Sequence, residues 1–181
     1  MKLQYFATTN EHKLREVSHI FGYDLEKVHL ELTEPQMLDV EAIAQAKALE
    51  AFEKVGAPVL VEDTGWYFEA WNGLPGAFAK FFMDTVGCTG ILKMMANEEN
   101  RRAKVKTAVA YHDGKAVHLF VGELGGVVTP EERGESKFGF DRIFQPDGQQ
   151  KTYGEMTLEE KNAISHRGVA IRKVKQFLEA Q

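Results

Sequence analysis

Pro58-Val59-Leu60-Val61 is apolar at every position, and this run limits the fold more than any other part of the chain. A strand with one face in water alternates apolar and polar residues, because successive side chains point to opposite faces. An unbroken apolar run instead reads as a central strand buried on both faces, which needs cover above and below. Gly56-Ala57-Pro58 closes the preceding element, and Glu62-Asp63-Thr64-Gly65 follows directly. At least one of these carboxylates is therefore expected at the end of the strand rather than in the core. Adjacent strand residues face opposite ways, so Glu62 and Asp63 need not share a metal, and one of them is expected to be structural.

The flanking segments supply the cover. Leu3 to Ala7 reads as a short buried strand, closed by Thr8-Thr9-Asn10. Asn10 can cap a helix in which Leu14, Val17 and Phe21 recur at helical spacing. Val28 to Leu32 reads as a second strand, and the Ala-rich stretch Asp39 to Val55 as a helix. Leu74-Pro75-Gly76 predicts a turn followed by a helix carrying Lys80, and Gly87 to Ala96 predicts another helix. Val105 to His112 and Val117 to Leu124 flank Asp113-Gly114, a hairpin signal. Gly125-Gly126 and Thr129-Pro130 read as loops. Thr157 with Glu160 forms a capping box at the start of the last helical segment, which breaks near Ser165 or Gly168. The expected class is α/β, a mixed central sheet flanked by helices, in one domain spanning residues 1–181. In such folds ligands sit beyond the carboxyl ends of strands, where Thr8-Thr9-Asn10 and Glu62-Asp63-Thr64 are both expected.

A formal net charge of -5 argues against non-specific nucleic-acid binding, which needs a dense cationic surface. A local group of lysines can still hold a small polyanion. Cys88 is the sole cysteine, so an intrachain disulfide and a cysteine-based zinc cluster are excluded. Only a short apolar run precedes Thr8, and no run approaches the roughly 20 residues that span a bilayer. The expectation is a soluble, cytoplasmic protein with no membrane partner.

Five groups of residues can carry chemistry. The hydroxyls of Thr8 and Thr9, the Asn10 amide and the free N–H groups of a helix start favour a phosphate, with Lys13 one turn further on. The same residues equally describe a plain Asx-capped helix. Asp63 can hold Mg²⁺ or polarise a metal-bound water, with Glu34 a second candidate ligand; each can also be an ordinary loop acid. Lys47, within an apolar helix face, and Lys80, among Phe78, Phe81 and Phe82, can add positive charge. In Phe138-Gly139-Phe140-Asp141 the glycine lets backbone approach closely, and an aromatic beside an acid suits a purine; a packed turn is the alternative. Ser165-His166-Arg167, backed by Lys161, can face a polyanion or a purine edge. Ser165 and His166 diverge by about 100° on a helix and cannot form a hydrolase pair.

Together these segments resemble the inosine/xanthosine triphosphate pyrophosphatase family. The resemblance is carried by Phe6-Ala7-Thr8-Thr9-Asn10 with Lys13, Val61-Glu62-Asp63-Thr64-Gly65, Gly73-Leu74-Pro75-Gly76, Phe138-Gly139-Phe140-Asp141, and Glu160 through Arg167. It implies a two-lobed α/β fold with a substrate cleft, a homodimer, and Mg²⁺-dependent hydrolysis of a purine nucleoside triphosphate to monophosphate and pyrophosphate. On matching positions Thr8, Thr9, Asn10, Lys13, Lys47, Thr64 and Lys80 would bind phosphate or substrate. Glu34 and Asp63 would bear the metal, with Asp63 also the catalytic base. Phe138, Gly139, Phe140, Asp141, Lys161, His166 and Arg167 would enclose and read the base. Thr9 stands where the family commonly has glycine, and Arg142 where it often has proline. Two further readings remain: a pyrophosphatase for other modified nucleotides, and a nucleotide-binding protein that does not hydrolyse.

Overall fold

Val59, Leu60 and Val61 are fully buried, as their composition demands, in a computed structural model that describes residues 3–181. The chain runs through strand β1 (Tyr5–Ala7), helix α1 (Glu11–Phe21), β2 (Glu26–Val28), α2 (Val40–Val55) and β3 (Val59–Phe68). It continues through β4 (Pro75–Gly76), α3 (Ala79–Thr85), α4 (Gly87–Met94), β5 (Arg102–His112), β6 (Val117–Val128), β7 (Phe144–Pro146), α5 (Leu158–Ile164) and α6 (His166–Glu179). The sheet order is β2-β1-β3-β5-β6-β7, with β4 also paired to β3. Its first three strands are parallel and the rest antiparallel, so the sheet is mixed, as expected.

The two faces of β3 explain its unbroken apolar start. Leu60 packs with Phe6, Val109 and Tyr111 under α1 and α6, against Val17, Phe21, Ile171 and Val174. Val59 and Val61 lie on the other face with Ala108 and Ala110, under α2. The small residues Ala44, Ala48 and Ala51 let α2 settle closely on that face. Burying such a Val or Leu side chain contributes about 1.5–3 kcal/mol, which exceeds the roughly 1–2 kcal/mol cost of ordering its backbone. A third apolar cluster, around Trp66, Phe68, Phe140 and Phe144, surrounds the far end of β3.

Three expectations are corrected. The second strand is Glu26–Val28 rather than Val28 to Leu32, because it pairs only with three-residue β1, from Tyr5 opposite Glu26 to Ala7 opposite Val28. Leu30 and Leu32 pack as non-strand residues beside the α2 cluster. Next, β3 does not end at Val61 but runs ten residues, because β5 pairs with it from Val59 to Phe68. Finally, Gly125-Gly126 lie within β6 rather than in a loop. A Cβ on Gly126 would fall 2.4 Å from the Gln145 carbonyl oxygen and 2.6 Å from the Phe144 ring, so the glycine is what lets β7 approach.

The local signals behave as read. Asn10 Oδ1 accepts from the His12 and Lys13 N–H groups at 3.0 and 3.2 Å, and the Ala-rich stretch forms α2, whose cap at Asp39 was not singled out from the sequence. Thr157 and Glu160 form the capping box of α5. The helical break falls at Ser165, whose backbone is extended and whose Oγ caps α6 by accepting from Gly168 N–H. The backbone of α6 lies directly on β6 at Gly122, where a Cβ would sit 2.0 Å from the His166 carbonyl oxygen. That contact sets the position of the first turn of α6, and with it His166 and Arg167.

Candidate functional site

β1 pairs with β3 only at Tyr5–Val59 and Phe6–Leu60, and stops at Ala7. On that side β3 has no further strand partner among the described residues until β4 meets it opposite Trp66 and Tyr67. Glu62 to Gly65 therefore line a gap in the sheet, and Thr8-Thr9-Asn10 leads away from its edge into α1. The acids sit in mid-strand, not beyond the end of β3 as expected, but they do lie beyond the carboxyl end of β1. Alternation then assigns Glu62 to the face of Leu60 and Asp63 to the face of Val61.

Beneath α1 and α6, Glu62 is buried in a network of charges. Arg167 donates to it twice, Nε to Oε2 at 2.5 Å and Nη2 to Oε1 at 2.9 Å. Lys13 Nζ lies 3.1 Å from Glu62 Oε1, and the Thr64 hydroxyl donates to the same oxygen at 2.9 Å while also meeting the Thr107 hydroxyl at 2.7 Å. Arg167 Nη1 also pairs with Glu16. Lys161 Nζ joins Glu16 Oε1 and Asp141 Oδ2, both at 2.7 Å, and Ser136 donates to Asp141 at 2.9 Å. Three acids thus face three cations, as buried charges require.

The electrostatics follow from that pairing. Burial pushes the Glu16 carboxyl up, but the charges of Arg167 and Lys161 outweigh it and bring the pKa to about 2. Burial likewise opposes Glu62, and Arg167 with Lys13 holds it well below the usual carboxylate range. At Asp141 burial wins over Lys161 and the pKa rises. His166, buried 3.4 Å from the Tyr153 hydroxyl, is driven well below its ordinary value by burial and then by the Arg167 and Lys161 charges. It is a neutral imidazole at pH 7.

On the opposite face, Lys47 Nζ bridges two carboxylates, Glu34 Oε1 at 2.8 Å and Asp63 Oδ2 at 3.2 Å. The other Asp63 oxygen accepts from Thr64 N–H at 2.9 Å. Burial opposes the Lys47 charge, but Asp63 and Glu34 raise its pKa above the ordinary lysine value. Glu34 shifts down despite its burial, through Lys47 first and then the fields of Lys13 and Lys80. Lys80 itself, in α3, pairs with Asp84 and is largely exposed. Two carboxylates already converging on one cation match the few-carboxylate, oxygen-only donor set that Mg²⁺ accepts alongside water and phosphate oxygens.

The aromatic-glycine-aromatic-acid motif divides between core and site. Phe140 is 1% exposed and packs edge-on against Trp66, with centroids 5.1 Å apart. Asp141 points into the charge network. Gly139, between the two phenylalanines, takes a left-handed φ of 51°. Of the two rings only Phe138 stays partly exposed, its centroid 5.0 Å from Lys161 Nζ and 5.6 Å from the Arg167 guanidinium carbon. The structure therefore gathers Lys13, Thr64, Phe138, Asp141, Lys161 and Arg167 around one buried network, and Glu34, Lys47 and Asp63 around another point. Phe140 and His166 sit in the core behind them. Thr8 accepts from Asn10 N–H at 3.1 Å, and Thr9 is exposed on the same turn.

Glu16, Ser136 and Thr107 were not singled out from the sequence. Glu16 had a signal: it falls three residues after Lys13 and directly before Val17, on the inward face of α1. An acid there needs a cationic partner. Ser136 also had a signal, since Asp141 lies five residues on, whereas Thr107 meets Thr64 from a segment 43 residues away and leaves no local mark.

The sequence model of the Ham1 family matches residues 4–177. The chain is 43% identical over 183 residues to an inosine triphosphate pyrophosphatase of Kluyveromyces lactis, covering 96% of this chain and 94% of that one. It is 41% identical over 177 residues to a dITP/XTP pyrophosphatase of Methanopyrus kandleri, covering 95% and 94%. Among solved structures, the Staphylococcus aureus Ham1 protein superposes with a TM-score of 0.84 at 26% identity, over 99% of both chains.

Proposed function

This chain belongs to the Ham1 family, and from that premise we propose that it hydrolyses the deaminated purine nucleoside triphosphates ITP, dITP and XTP to the monophosphate and pyrophosphate. The observation that carries the reading is the bridge from Lys47 to Glu34 and Asp63, with Glu34 in the field of Lys13, while Phe138 covers Lys161 and Arg167 of the neighbouring charge network. Lysines, paired carboxylates and a partly exposed aromatic are the three components a triphosphate-hydrolysing purine site needs. The relatives named above are pyrophosphatases for these nucleotides, which supports the same substrate class.

In this reading Thr8, Thr9, Asn10, Lys13, Lys47 and Lys80 hold the phosphates, whose mutual repulsion otherwise opposes attack. Glu34 and Asp63 hold Mg²⁺, which when bound supplies positive charge against the triphosphate. Asp63 takes a proton from a water as the water oxygen bonds to the α-phosphorus. The bond from that phosphorus to the α–β bridging oxygen breaks, and pyrophosphate departs. Phe138 and the charge network behind it bound the base pocket. A donor from this wall satisfies the 6-oxo group of inosine or xanthosine, whereas the 6-amino group of adenine leaves that donor unpaired at a cost of about 1–3 kcal/mol. The family reading carries with it a two-lobed cleft, a homodimer and a cytoplasmic location.

Pyrophosphate release with Mg²⁺ from ITP, XTP, dITP, GTP and ATP tests the proposal. Turnover of the first three well above ATP is expected. Binding of ITP without pyrophosphate release would leave only a nucleotide-binding protein.

A further inference from the structure

His12 lies in the first turn of α1, next to Lys13, and its ring stacks on Phe138 with centroids 5.0 Å apart and planes 21° from parallel. Its backbone N–H is spent on the Asn10 cap, so the side chain makes the contact to the Phe138 loop. Phe138 in turn lies over Lys161 and Arg167, and Arg167 is 1% exposed. The stack therefore joins the helix start that follows Thr8-Thr9-Asn10 to the loop that shields the buried cations. At this spacing the two rings are in contact, and no third ring fits between them.

We infer that His12 is a latch on the base pocket: it holds Phe138 across Lys161 and Arg167 in the free protein, and a purine must break the His12–Phe138 stack to enter. The inference rests on the functional reading above, which places the base against Phe138. His12 is exposed, so its side chain can turn into water without leaving a buried group unsatisfied. Part of the binding energy of the base is then used to open the latch. His12 touches no phosphate in this scheme, so its effect belongs to ligands that carry a base.

The test compares intact wild-type protein with His12→Ala and His12→Phe, using calorimetric titration of IMP and of pyrophosphate, and kcat and KM for ITP. An aromatic contact of this kind corresponds to a change of about two- to tenfold. His12→Ala is expected to tighten IMP and lower KM by that factor, with kcat and pyrophosphate affinity unchanged. His12→Phe, which keeps the stack, is expected to behave like wild type. Unchanged or weaker IMP binding in His12→Ala overturns the latch, as does equal tightening of pyrophosphate. If wild type hydrolyses ITP and either result appears, the latch alone has failed. If wild type neither hydrolyses ITP nor binds IMP, the functional reading has failed and the latch with it.

Discussion

Arg167 and Glu62 are separated by 105 residues, yet two bonds of 2.5 and 2.9 Å join the guanidinium to the carboxylate with both side chains out of water. Strand β3 and helix α6 are tied at this pair beside the gap where β1 ends. Glu16 and Lys161 extend the tie to α1 and α5. The network fixes the wall of the site and also carries much of its electrostatic cost. Its members therefore affect folding before they affect chemistry.

Arg167→Ala leaves Glu62 and Glu16 without their main countercharge. Removing one partner of a buried pair costs about 3–5 kcal/mol, so urea unfolding should shift by that much. A change below about 1 kcal/mol, the range of exposed ion pairs, would mean that water reaches the network and screens it.

Asp63→Asn keeps the shape of the side chain and removes the proposed base. Turnover of ITP is expected to fall by about 10²–10⁴-fold, with IMP affinity little altered. Retention of near-wild-type kcat would take Asp63 out of the proton-transfer role.

Chelation by EDTA should abolish ITP turnover, and added Mg²⁺ should restore it. Glu34→Gln weakens the donor set without disturbing Asp63, so the Mg²⁺ concentration giving half-maximal activity should rise by about tenfold or more. An unaltered Mg²⁺ requirement would show that Glu34 is not a ligand, and that its contact with Lys47 is structural.

Stability should fall on acidification in two stages. His166 is held below its ordinary value of 6.5 by burial and by the Arg167 and Lys161 charges. The unfolded chain therefore takes up a proton that the folded chain refuses, and this contribution is complete above pH 6.5 and lost as pH falls below it. Glu16, at about 2 against 4.5 unfolded, adds a second loss as pH falls from 4.5 toward 2, of the order of 3 kcal/mol. Glu62 acts in the same direction, whereas Asp141, with its raised pKa, favours the folded state as pH falls and offsets part of the loss. Melting temperatures between pH 8 and 3 check this: His166→Gln should lack the decline that begins near pH 6.5 but keep the one below 4.5. A wild-type curve level down to pH 5 would contradict the buried neutral imidazole.

Much of the fold was legible because its signals act over a few residues. The apolar run of β3, the caps at Asn10 and Thr157, and the Asp113-Gly114 hairpin each depend on neighbours within about four positions. Strand lengths were not legible, because a strand ends where its partner ends. β2 is short because β1 is short, β3 is long because β5 is long, and Gly126 belongs to a strand because β7 packs on it.

The site divides along the same line. The sequence by itself determined the class of fold, the presence of cations and carboxylates in separate segments, and, through the period of two, that Glu62 and Asp63 point apart. Only the tertiary structure decided that Glu62 is locked to Arg167 while Asp63 shares Lys47 with Glu34, that Phe140 belongs to the core and Phe138 to the site, and that Glu16 is central. Caps and periodicity arise from local backbone geometry. A buried ion pair depends instead on which remote segments packing brings together, and Glu16 meets Arg167 across 151 residues of chain.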